Sequence, residues 1–229
     1  MTGTGVGVLV GAVVGLATTP IPVFAATRFR PGTGSPPPVP QGARTVIVMI
    51  LTVVAGAAVA AIGLGWWTPV FAGSALIAVT AAAVDLTELC LPDVLMYPLL
   101  AAGVAVAATT AATSPSVQLW VPIVGAVAYG GWMLLIALTV PASYGLGDVK
   151  LAAAVGLWTG ILSWTTMATA VLIGQLLILA SLLAARMPHR GARRRWPGRH
   201  LLTGPRTSSD APLGPALIAG ALLAILIGG

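Results

Sequence analysis

Long runs of apolar positions, separated by short polar stretches, occupy almost the whole chain. Eight runs stand out, at about 5 to 26, 45 to 65, 70 to 91, 94 to 113, 118 to 140, 147 to 162, 164 to 186 and 212 to 228. Most approach the roughly 20 residues that a helix needs to cross a bilayer core. The runs are continuous and rich in Ala, Leu, Val and Gly, without the alternation of barrel strands, so they predict helices that pack through small side chains. The expected fold class is all-α, a polytopic integral membrane protein with about eight transmembrane helices forming one domain over residues 1 to 229.

Two polar stretches are long enough to be connectors. "RPGTGSPPPVPQGAR" is too rich in Pro and Gly to continue a helix, and the connector is assigned to 27–44. "RMPHRGARRRWPGRHLLTGPRTSSD" carries most of the arginines and sets the second connector at 187–211. If all eight runs cross, both connectors fall on one side, as the positive-inside rule requires, and that side is the cytoplasm. The short sixth run is kept for this reason, since dropping it separates the two arginine-bearing loops. Trp66, Trp67 and Trp120 then mark an aromatic belt at the outer interface.

Composition agrees with the pattern. Apolar residues make up 58% of the 229 positions, charged residues 7%, and the mean hydropathy is +1.00, which excludes an ordinary soluble domain. The net charge of +6 resides in loops beside the spans, where it orients the chain, so no nucleic-acid partner is expected. The lone Cys90 rules out an internal disulfide or a CxxC metal cluster. Arg28 and Arg30 follow the first apolar run and no basic residue precedes it, the reverse of a signal peptide, so this run is read as an uncleaved span.

Against this background the acidic residues are conspicuous. There are five: Asp85, Glu88, Asp93, Asp148 and Asp210. Asp210 lies in the polar loop, whereas the other four flank the predicted cytoplasmic ends of the third and sixth spans. A carboxylate inside a span costs about 2.5 to 3.5 kcal/mol on insertion scales, so it usually serves a site facing the protein interior or water. Asp85 precedes Pro92 by seven residues, which places it roughly 10 Å inside the third span if the helix is continuous. Gly145 and Gly147 permit a tight approach to Asp148, so the two carboxylates are able to face each other. Two carboxyl groups held together do not both ionise readily, and such a pair activates water in aspartic proteases. The same carboxylates would also suit a small proton-coupled transporter, although they gather at one face and no internal repeat is evident.

"DLTELCLPDVLMYPLL" followed by "GLGDVKLAAAVGLWTG" resembles the type IV prepilin peptidases, the leader peptidases of the GxGD class of intramembrane aspartyl proteases. In that family one catalytic aspartate opens the first segment and the other closes GxGD, positions held here by Asp85 and Asp148. "APLGPALIAGALLA" is similar to the family's C-terminal P-x-G-P helix, with Leu213 where phenylalanine is common. The resemblance implies an endopeptidase of the inner (cytoplasmic) membrane that removes basic leaders from prepilins or pseudopilins on the cytoplasmic side, without metal or organic cofactor. Full-length members carry a cysteine-bearing cytoplasmic domain between their first two spans that is associated with N-methylation; this chain has only the 27–44 connector there, which marks a short form without that activity.

Other residues near the motifs have plainer readings. Asp148 after a glycine-rich turn suits a helix N-cap. Glu88, one turn from Asp85, is either a supporting acid or a dyad partner, with solvation favoured by its position nearer water. Asp93 follows Pro92 in a turn and is assigned a structural role. Lys150 stands two residues from Asp148 on a different helix face and is expected to reach toward the interface rather than pair with it. His189 and His200 lie in the arginine-rich loop and are read as surface residues.

Overall fold

The computed structural model describes residues 2–28, 39–63, 67–89, 91–113, 119–139, 145–186 and 212–228. Among the described residues the regular structure is nine α-helices: α1 (Thr2–Thr18), α2 (Pro20–Arg28), α3 (Gln41–Ala61), α4 (Thr68–Glu88), α5 (Asp93–Thr113), α6 (Trp120–Thr139), α7 (Leu146–Leu162), α8 (Trp164–Arg186) and α9 (Gly214–Gly228). Cys90, His189, His200, Asp210, Trp66 and the whole 187–211 connector lie outside the described residues.

The helices follow the eight apolar runs, with two corrections. The first run, expected as one span, is two helices, because Pro20 lacks the N–H that would continue α1 and instead opens α2. The connector expected at 27–44 is shorter, since α2 extends to Arg28 and α3 starts immediately after Pro40. Among the described residues five helices, α3, α4, α5, α6 and α8, are long and apolar enough to cross a membrane, and shorter apolar helices accompany them. The chain is therefore a multi-pass membrane protein. Leu172, Leu176, Leu179 and Leu183 form an exposed stripe at helical spacing along α8, a face suited to lipid.

Pairwise contacts fix the helix directions. Gly125 and Gly156 meet backbone to backbone, so that a Cβ on either would lie on the other's carbonyl oxygen; Gly130 meets Ala153 and Gly160 meets Pro122, an antiparallel register for α6 and α7. Gly174 against Gly220 and Thr166 against Gly228 make α8 and α9 antiparallel in the same way. Gly11 on Gly56 and Gly15 on Thr52 do so for α1 and α3. By contrast, α5 and α7 run parallel: Asp93 pairs with Lys150, and further along the Trp158 indole N–H donates to the Leu99 carbonyl at 3.0 Å.

These registers gather the end of α4 and the starts of α5, α7 and α9 at one end of the bundle. At the opposite end the rings of Trp120 and Trp164, each about half exposed, lie 5.9 Å apart at the starts of α6 and α8. Trp120 thus occupies a belt position, but Trp67 does not: it turns inward onto Phe71, whose ring meets Trp158 edge-on at 4.6 Å. The most enclosed helices are α4 and α7, the two that carry Asp85 and Asp148.

Candidate active site

Asp85 stands in the last turn of α4 and is 4% exposed. The expected depth of ten ångströms below Pro92 is not observed, because α4 ends at Glu88, three residues and about 4.5 Å of helix rise beyond Asp85. The helix stops at Leu89, which adopts the left-handed conformation at φ 52° and ψ 41° and closes the turn by donating its N–H to the Asp85 carbonyl at 3.0 Å. Glycine or asparagine is usual at such a position, and a leucine there costs on the order of 1–2 kcal/mol. The strained turn lets the chain double back within a few residues to Pro92 and the start of α5.

What buries Asp85 is α9. The Gly214 N–H donates to Asp85 Oδ2 at 2.9 Å. This amide belongs to the N-terminus of a helix, where unpaired amides and the helix dipole favour an anion. A Cβ on Gly214 would stand 3.0 Å from Oδ2, so the approach depends on glycine. Sequence reasoning marked the Pro212-Leu213-Gly214-Pro215 pattern without linking it to Asp85; that pattern was the available signal, and only the packing of α9 on α4 gives it a partner.

Asp148 is the third residue of α7. The expectation of an N-cap is corrected: Gly145 is the cap, and Asp148 reaches back to accept its N–H on Oδ2 at 3.1 Å, while the Asp148 N–H donates to the Gly145 carbonyl at 3.1 Å. Gly147 allows this first turn to sit against the chain that leaves α4, since a Cβ there would lie 2.8 Å from the Leu91 Cβ. Gly145 is exposed and extended, and a side chain there would meet the Asp148 carboxylate and the Gly147 nitrogen at ordinary contact distance.

Asp85 and Asp148 are gathered where α4, α7 and α9 converge: Gly214 at the start of α9 bonds Asp85, and Gly147, next to Asp148, packs on Leu91 just past the end of α4. Each carboxylate is anchored through Oδ2 to one main-chain N–H group, so its other oxygen is not engaged by these bonds. Deeper in the bundle α3, α4, α7 and α9 line a partly open apolar cavity of about 60 Å³, with Ala78, Leu151, Val155 and Ile218 among its walls.

Of the remaining predicted site residues, Glu88 stands where expected, whereas Asp93 and Lys150 are arranged differently from expectation. Glu88 ends α4, half-buried, one turn beyond Asp85. Asp93 opens α5 and is not merely a turn residue: it forms an ion pair with Lys150 of α7. Lys150, expected to extend alone to the interface, also lies 3.4 Å from the Tyr97 hydroxyl and 4.9 Å from the centre of its ring. The spacing argument rightly kept Lys150 from Asp148, but the partner stood on another helix.

A family model for the type IV leader peptidase family matches residues 72–185, a span that includes α5, α6 and α7 and nearly all of α4 and α8. No curated protein and no solved structure gives a significant match.

Proposed function

The chain belongs to the type IV leader peptidase family, and from that premise we propose that it is an aspartyl endopeptidase in which Asp85 and Asp148 cleave the basic leaders of prepilin-like or pseudopilin substrates at the cytoplasmic face of the membrane. The observation that carries this reading is that α4 and α7 bring their two carboxylates to the same end of a membrane bundle. In the proposed reaction one carboxylate, as base, takes a proton from water while the water oxygen bonds to the peptide carbonyl carbon. The carbonyl electron pair moves onto oxygen. The other carboxyl, holding the shared proton, stabilises that oxygen and then protonates the leaving amine as the C–N bond breaks.

The cytoplasmic assignment rests on charge. Arg44 near the start of α3 and Arg186 at the end of α8 flank the two arginine-bearing connectors, and α8 ends beside the start of α9, the site's end of the bundle. The positive-inside rule puts such loops in the cytoplasm, and it would hold a substrate's basic leader on the same side. Lipid is the surrounding solvent, and the scissile bond would lie where the substrate's own apolar helix emerges from it.

Purified protein incubated in detergent with a prepilin that has a basic leader is expected to release a product whose N-terminus, read by sequencing, begins directly after the glycine that precedes the apolar helix. An uncut prepilin, or a cut elsewhere, would overturn the reading. A second outcome follows from α9: Gly214→Ala, which forces a Cβ toward Asp85 Oδ2, should lower kcat roughly tenfold through a displacement of a few tenths of an ångström. Single-turnover cleavage alongside a thermal melt checks this, and an unchanged rate in a folded variant would show that α9 does not position Asp85.

A further inference from the structure

We propose that the Lys150–Asp93 ion pair, closed over Tyr97, is a positioning strut that holds Asp148 in place for the reaction. The inference rests on the reading of Asp85 and Asp148 as the working pair. Asp148 occupies the first turn of α7, where the helix lacks some of its own hydrogen bonds and is most prone to fray. Its side chain is tied back to the Gly145 N–H at the helix cap. Lys150, two residues on, leaves the helix on another face and is tied to the first residue of α5.

Gly147 against Leu91 supplies a close contact on a second side, and a helix end held on two faces can neither roll nor slide. Deeper in the bundle the Trp158 N–H to Leu99 carbonyl bond ties α7 to α5 again, about two turns further along. Removing Lys150 therefore leaves the helix pair fastened in the interior and loosens only the end that carries Asp148. The Lys150 and Asp93 side chains are 30% and 55% exposed, and a pair so wetted adds little to global stability. Its contribution is to geometry at the reacting end.

The test compares Lys150→Met, Asp93→Asn, the double variant and Lys150→Arg in cleavage of the same prepilin. A displacement near one ångström at Asp148 is expected to lower kcat by up to about 100-fold in each of the first two, with KM changed by no more than about twofold. The double variant should lose no more than either single, because the two side chains act as one unit. Lys150→Arg, which keeps the charge, should recover most of the rate, and melting temperatures should stay near that of the parent protein.

A full kcat in Lys150→Met or Asp93→Asn, losses that add in the double variant, or a loss in KM alone would overturn the strut. So would a variant that fails to fold, since the pair would then serve the fold itself. Asp85→Asn and Asp148→Asn run in parallel separate this from the parent reading: if they still cleave, the dyad fails, whereas if they are dead and Lys150→Met is at full rate, only the strut fails.

Discussion

Asp85→Asn and Asp148→Asn each reduce cleavage of a prepilin leader by roughly 10⁴-fold, the scale on which loss of one member of a concerted catalytic set is felt. The substitution is chosen for what it keeps. Asparagine has the shape of aspartate and retains a carbonyl oxygen, so the Gly214 N–H at Asp85 and the Gly145 N–H at Asp148 keep an acceptor. It loses the capacity to take up and release a proton, the one property the proposed reaction requires. Both variants should remain in the membrane fraction and melt near the parent temperature. Since either carboxylate alone lacks its partner, the double variant should be no worse than the singles. Cleavage by either single variant at even a tenth of the parent rate would rule out the dyad.

Gly156→Leu yields no folded protein, whereas Gly131→Leu leaves stability within about 0.5 kcal/mol. Gly156 lies where α6 and α7 touch through their backbones, and a Cβ there would fall on the Gly125 carbonyl oxygen. Backbone atoms cannot swing aside as a side-chain tip can. Overpacking typically costs 1–3 kcal/mol, and about 3 kcal/mol or more is expected when two helices must separate along their length. In lipid this loss has no compensation from burial, because helix association there depends on close packing. Gly131 is on α6 as well, but a Cβ on it meets nothing within 4 Å. Size-exclusion profiles and melting curves of the two variants check the contrast, and a well-folded Gly156→Leu would mean that α6 and α7 do not touch as described. The consequence reaches the site, since α7 carries Asp148.

The contrast between these two glycines shows where sequence reading stops. Both sit in apolar runs of similar composition, and no local feature separates the one that admits another backbone from the one that faces outward. The same holds for Lys150. Helical spacing excluded Asp148 as its partner, but Asp93 lies 57 positions away and became visible only when α5 and α7 were found side by side and parallel. Gly214 is the third case: its motif was noted, yet its role at Asp85 depends on a contact across 129 positions. Asp85 and Asp148 were legible because they break a rule that acts on each position separately, the cost of charge within an apolar span.

From sequence alone the chain determined its all-α membrane class, the approximate course of its helices and the two carboxylates worth following. A bilayer makes this possible: it requires each span to satisfy its own backbone hydrogen bonds and to be apolar along its length, so hydropathy is written locally. The tertiary structure decided the break at Pro20, the turn at Leu89 that leaves Asp85 one turn from its helix end, the inward rotation of Trp67, and the partners of Lys150 and Gly214. Apart from the break at Pro20, each of these arises from two segments in contact or from a backbone strain offset elsewhere, and a relation between distant positions leaves little trace in the residues on either side.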